Sequence, residues 1–327
     1  MITLSLPYFL GSVTCKKLKE LSMKLTKTIL AVATTAAIAS FSFGANAADK
    51  LKIGMSFQEM NNPYFVTMKE ALEEACASVG AEVVITDARH DISKQISDVE
   101  DMLQKDIDIL LLNPTDSVGI QSAVIDANKA GVVTVAIDAQ AEGPIDSFVG
   151  SKNYDAGLKA CKFLADSIGG DGDVAILDGI PVVPILERVR GCKDALKDYP
   201  KIKIVTVQNG QQDRAIAMNV TENILQSAPN LKGMFSVNDE GSLGALSAIQ
   251  SSGRDIKLTS VDGNPQAVEE IAKGNSPFIG TSAQYPRDQV RVGIGIALAQ
   301  YWGANVPKEI PIDVTLITKE NAKGFSW

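Results

Sequence analysis

The chain has 327 residues, 45% of them hydrophobic and 21% charged, with a formal net charge of -8. That length exceeds one ordinary hydrophobic core and calls for two lobes, while the acidic balance is a poor match to nucleic acid, whose phosphates demand Lys and Arg. Four cysteines without a C-x-x-C pair, and a single histidine at His90, supply too few ligands for a structural zinc site.

The N-terminal segment reads as an export signal. Lys24 and Lys27 make a basic start, Ile29 to Phe43 is an apolar and small-residue run, and Ala45-Asn46-Ala47 is a small-x-small cleavage pattern. Those parts in that order are a secretory signal peptide, cleaved near Ala47. A membrane anchor would want about 20 strongly apolar residues, and this run is shorter and rich in Ala, Thr and Ser. The 22 residues ahead of Met23 carry no identifiable role, which makes Met23 the better start. Residues 1–47 hold five lysines and one glutamate, a net +4, so the exported chain carries about -12. Such a charge suits solubility in an envelope compartment. Cys76, Cys161 and Cys192 remain. Each reads as a small buried apolar residue, and an oxidising compartment permits a Cys161–Cys192 disulfide that the sequence does not decide.

From Leu51 a rhythm sets in. Strands are predicted at 51–57, 81–88, 107–114 and 132–139, and helices at 63–78, 92–105 and up to Ala130 between them. The strands are continuously apolar rather than alternating, as parallel strands covered on both faces are. After 147–157 the rhythm restarts. A helix at 154–168 leads into strands at 173–179, 202–210, 232–239, 256–263 and 278–285, separated by helices. The expectation is an α/β fold of two doubly wound parallel-sheet lobes.

In such sheets ligands bind beyond the carboxyl ends of the strands. The residues there are Gln58, Asn61, Asn62, Tyr64 and Phe65, then Asp138 and Gln140, then Asp178, Gln211 and Gln212, Asn238 and Asp239, Asp262 and Asn264, and Gln284 and Tyr285. Arg188 and Arg190 start a helix. Carboxylates accept from hydroxyls, Arg and Asn donate to them, and aromatic rings pack on the apolar C–H face of a sugar. The set suits a neutral polyhydroxylated ligand. It does not suit phosphate, because Gly169–Asp173 precedes a strand and is no cradle entering a helix. Taken singly, several positions have plainer roles. Asn62 before Pro63 is an N-cap, Asn238 caps equally well, and Asp262-Gly263-Asn264-Pro265 is a turn.

Four segments in order carry a family resemblance: "NNPYFVTMK", "LLLNPTDS", "VNDEGSLGAL" and "SVDGNPQA". From Leu51 to about Thr318 the chain resembles the periplasmic sugar-binding proteins of the ribose-binding type, the soluble components of ABC importers. Ligand-sensing domains of sugar-responsive repressors share the pattern, but they carry a DNA-binding segment where this chain has its signal peptide. The resemblance implies a type I periplasmic binding protein fold with a three-segment hinge near 150–154, 283–286 and 313–315. The lobes would be 48–152 with 285–313, and 153–284 with 314–327. It implies a monomer in the periplasm that takes up a pentose, hexose or polyol, needs no cofactor, and docks on a membrane permease. A sugar-taxis receptor is a compatible second partner. Asn62, Tyr64, Phe65 and Asp138 would hold the ligand from one lobe, and Arg188, Asn238, Asp262 and Gln284 from the other. Two departures concern sugar identity. Ala139 stands where ribose binders have Arg, and Gln212 where they have an aromatic. Gln58, Gln140 or Gln212 would supply the replacement hydrogen bonds. The alternative is an exported carbohydrate-active enzyme using Asp138 and Asp262 as its carboxylate pair.

Overall fold

The computed structural model describes residues 50–327, so the signal-peptide reading of residues 1–47 falls outside the described part. In chain order, the first half contributes β1 (Lys52–Phe57), α1 (Pro63–Val79), β2 (Glu82–Asp87), α2 (Ile92–Leu103), β3 (Ile109–Leu112), α3 (Gln121–Lys129), β4 (Val133–Ile137) and β5 (Ser147–Ser151). Then follow α4 (Asn153–Ser167), β6 (Asp171–Asp178), α5 (Val183–Leu196), β7 (Lys201–Asn209), α6 (Arg214–Ser227), β8 (Leu231–Ser236), α7 (Asp239–Ser252), β9 (Lys257–Asp262), α8 (Pro265–Lys273) and β10 (Phe278–Ala283). The chain ends with α9 (Pro286–Tyr301), β11 (Glu309–Ile312) and β12 (Thr315–Thr318).

The strands form two six-stranded sheets, ordered β11-β5-β4-β3-β1-β2 and β12-β10-β9-β8-β6-β7. All pairings are parallel except β12 against β10. Central strands such as Ile109–Leu112 are buried on both faces, which is why they read as unbroken apolar runs. Helices cover both faces of each sheet and enclose separate cores, one around Met55, Phe57 and Met68 and another around Met234, Leu258 and Phe278. The predicted fold class, two doubly wound lobes, is the one found. Strands β5, β11 and β12 were not predicted as strands. Their sequences SFVGS, EIPI and TLIT are broken by polar residues, Gly or Pro, so no continuous apolar run marks them, and pairing with neighbours makes them strands. Pro311 is tolerated because β11 is an edge strand.

The chain passes between the sheets three times, between β5 and α4, between β10 and α9, and between β11 and β12. Side chains tie these passages together. Lys152 Nζ pairs with Asp313 at 2.6 Å, and Tyr285 Oη donates to Thr315 Oγ1 at 2.8 Å.

Helices α4 and α5 approach closely at two glycines. A Cβ on Gly157 would lie 1.9 Å from the Arg188 carbonyl oxygen, and one on Gly191 would lie 2.0 Å from that of Tyr154. Only glycine permits this approach. A Cys161–Cys192 disulfide joins the same two helices. The pairing that the sequence left open is therefore present, and it secures the helix that carries Arg188.

Candidate ligand site

Because every crossover helix follows a parallel strand, the helix starts gather at the strands' carboxyl ends. Asn62, Asp91, Asp213, Asn238 and Asn264 cap α1, α2, α6, α7 and α8 with their side chains. Between the two sheets at this end lies a narrow cavity that opens to solvent. Gln58, Asn62, Tyr64, Phe65 and Asp138 line it from one side and Arg188, Gln212, Asp262 and Gln284 from the other, with Ala139, Val182, Pro184 and Ile185. Nine of the ten predicted residues are thus brought together. Asn238 is not in the lining. Its Oδ1 accepts from Gly241 N at 3.1 Å, capping α7, and its Nδ2 donates to the Gln212 carbonyl at 3.3 Å. Gln140 also lies outside the lining.

The first half of the cavity is built around Asp138, which ends β4 with φ at 67° and is 6% exposed. The left-handed backbone is an uncommon conformation for aspartate, held here by the groups its carboxylate meets. Tyr64 Oη donates to Oδ1 at 3.1 Å and Asn113 Nδ2 donates to Oδ2 at 3.2 Å. Gln289 Nε2 donates to Tyr64 Oη at 2.9 Å and to Ser151 Oγ at 2.7 Å. With Gln289 donating to the phenol oxygen, the phenol proton is directed at Asp138. Burial and the Asp138 charge push the Tyr64 hydroxyl well up, so it stays a donor. Burial raises Asp138 as well, against the opposing pull of Arg188. The Tyr64 and Phe65 rings meet edge-on at 5.4 Å. Asn62 Oδ1 accepts from Tyr64 N at 3.0 Å, which leaves the Asn62 NH2 group for the cavity.

The second half is built around Asp262, which ends β9 with φ at 135°. Arg188 Nη1 donates to Asp262 Oδ1 at 3.1 Å and to the Val237 carbonyl at 2.8 Å, and Arg188 Nε donates to Asn153 Oδ1 at 2.8 Å. Nη2 has no acceptor among the described residues. Gln284 Nε2 donates to Asp262 Oδ1 at 2.8 Å. Burial raises the Asp262 carboxyl, and Arg188 draws it back down. Beneath it, Asp239 accepts from the Thr281 hydroxyl at 2.8 Å, from Gly263 N at 2.8 Å, from Asn264 N at 2.7 Å and from Ser260. Those donors fix the turn that presents Asp262. Gln212 Oε1 accepts from Ile180 N at 3.2 Å, so its NH2 group is the free end.

Four residues of this arrangement were missing from the predicted set. Asn113 ends β3, and the strand-end rule that found Asp138 would have found it. Asn153, Gln289 and Trp327 lie on a hinge, on α9 and at the chain terminus, where no local pattern marks them. Trp327 Nε1 donates to the Asp262 carbonyl at 3.0 Å.

A cavity lined by two carboxylates, one guanidinium, several amides and two rings, set between two doubly wound lobes, defines a solute-binding protein of the hinged, two-lobed class. The chain belongs to the family defined by the periplasmic binding protein domain, whose model matches residues 53–304. It is similar to the ribose import binding protein RbsB of Bacillus subtilis, with 39% identity over 82% of this chain and 87% of that protein. It is also similar to the D-allose-binding periplasmic protein of Escherichia coli, with 30% identity over 78% of this chain and 85% of that one. Among solved structures, an ABC transporter periplasmic solute-binding protein from Actinobacillus succinogenes with bound D-allose superposes with a TM-score of 0.80 at 30% identity, covering 84% of this chain and 100% of that one. The Caulobacter myo-inositol binding protein bound to myo-inositol gives 0.79 at 28% identity, covering 84% and 96%. As a member of this family the chain is a binding protein of an importer and not an enzyme, and membership implies the periplasm.

Proposed function

We propose that the protein captures a neutral monosaccharide or related polyol between its lobes and delivers it to the permease of an ABC importer. The observation that carries this reading is a set of buried polar atoms without protein partners at one cavity. Gln58 Oε1 and Gln284 Oε1 are buried and unbonded among the described residues, and both residues line it. Buried polar groups are nearly always satisfied, and here ligand hydroxyls would satisfy them. Asp138 and Asp262 accept from further hydroxyls, Arg188 Nη2 and the amides of Asn62 and Gln212 donate, and the Tyr64 and Phe65 rings cover the C–H face. Two carboxylates against one guanidinium disfavour an anionic sugar phosphate. The relatives' ligands, which include D-allose and myo-inositol, belong to the same chemical class.

In this reading residues 48–152 with 285–313 close on residues 153–284 with 314–327, and the ligand favours the closed state through its contacts with both. The permease reads the closed surface, which is also the surface a sugar-taxis receptor would read. A single copy of the chain suffices, after cleavage near Ala47. Ala139 and Gln212 line the cavity where the ribose pattern has an arginine and a ring, so the test extends beyond one sugar. Thermal melts are compared with D-ribose, D-allose, L-arabinose, D-tagatose, myo-inositol and xylitol. At about a thousand times Kd a true ligand stabilises by about 4 kcal/mol, several degrees in melting temperature. No shift with any of the six refutes the sugar reading, and chemical conversion of the ligand recovered afterwards refutes the binding role.

A further inference from the structure

The chain ends in Phe325-Ser326-Trp327, and this end reaches both lobes. Phe325 packs on the core of the second lobe, with its ring 6.3 Å from that of Tyr285. Trp327 packs on the core cluster of the first lobe, edge-on to Tyr64 with centroids 5.6 Å apart. Its indole N–H meanwhile donates to the Asp262 carbonyl of the second lobe at 3.0 Å. One side chain therefore touches the ring of one cavity residue and the backbone of another across the cleft.

Both contacts fall where restraint is needed. Asp262 holds φ at 135°, a region that favours glycine, and its carbonyl accepts from Gln284 N at 2.8 Å in addition to the indole. Tyr64 is fixed at its hydroxyl by Gln289 and Asp138, and at its ring by Phe65 and Trp327. We infer that Trp327 is a positioning residue of the ligand site. It sets Asp262 and Tyr64 relative to each other and joins the lobes in the arrangement described, so that it slows ligand release. This rests on the sugar-binding reading above. A tail that only covers apolar surface would change stability and leave release unchanged.

The experiment uses Trp327→Phe and Trp327→Ala, each checked for folding by circular dichroism. Release of the most strongly stabilising of D-ribose, D-allose, L-arabinose, D-tagatose, myo-inositol and xylitol is followed by stopped flow. Trp327→Phe keeps the ring against Tyr64 and loses the hydrogen bond, so release accelerates about three- to tenfold. Trp327→Ala loses both contacts and accelerates release about 10- to 100-fold, with association unchanged. Release from Trp327→Ala at the wild-type rate overturns the inference, whatever happens to its melting temperature. If wild type binds none of the six, the sugar reading fails instead. The inference is then decided by small-angle scattering of the ligand-free chain. A larger radius of gyration in Trp327→Ala supports it, and an unchanged one overturns it.

Discussion

Replacing Arg188 by Met tests the electrostatics of the cavity. The guanidinium is 4% exposed and donates to Asp262, Asn153 and the Val237 carbonyl. Met preserves most of the stem's packing and removes the charge and every donor. Breaking a buried pair by deleting one partner costs about 3–5 kcal/mol, or a fall of about 6–20 °C in melting temperature for a chain of this size. The loss should depend on pH. In the folded chain burial holds the Asp262 carboxyl above its ordinary range, and Arg188 is the largest influence lowering it. A carboxyl raised on folding contributes stability that is present below its unfolded pKa and lost as pH rises through the folded one. Deleting Arg188 moves the folded value higher still, so the variant gives up more stability than wild type at neutral pH. Calorimetry at about pH 7.5 and about pH 5 should show the deficit shrinking at the lower pH, where Asp262 takes up its proton in both proteins. Asp138, also drawn down by Arg188, changes in the same direction. A deficit that is equal at the two pH values, or larger at the acid one, refutes this account.

Two further outcomes follow from the same geometry. Reducing the Cys161–Cys192 disulfide, which spans 31 residues, should destabilise the chain by about 3–4 kcal/mol through the freed unfolded ensemble; a melting curve unchanged by reductant contradicts it. Because the Gly157 and Gly191 contacts keep α4 on α5, the ligand-induced thermal shift should persist after reduction. Asn238→Ala should lose about 0.5–2 kcal/mol as a helix cap while ligand affinity, measured by titration calorimetry, stays within about threefold of wild type, since Asn238 lies outside the cavity lining. A loss of hundredfold or more would return Asn238 to direct ligand contact.

The lobes were legible because their cause is local. A strand buried on both faces must be apolar throughout, so runs such as Ile109–Leu112 and Val133–Ile137 stand out without any knowledge of their neighbours. The strand-end rule then located Asp138, Asp262 and Gln284, since the place of a residue at a strand's carboxyl end follows from the order of elements. It does not separate residues of one type that serve two purposes. Asn62 and Asn238 both precede helices and both cap them, yet only Asn62 lines the cavity.

By itself the sequence determined the doubly wound architecture, the end of the sheets at which polar residues gather and the chemical character of the groups there, because each depends on periodicity or on residue type. Tertiary structure alone decided the pairing of Cys161 with Cys192, the support of Tyr64 by Gln289 and the reach of Trp327 to Asp262. These join residues 31, 225 and 65 positions apart. Contacts of that separation leave no periodic trace, since they exist only once distant segments of the chain have folded together.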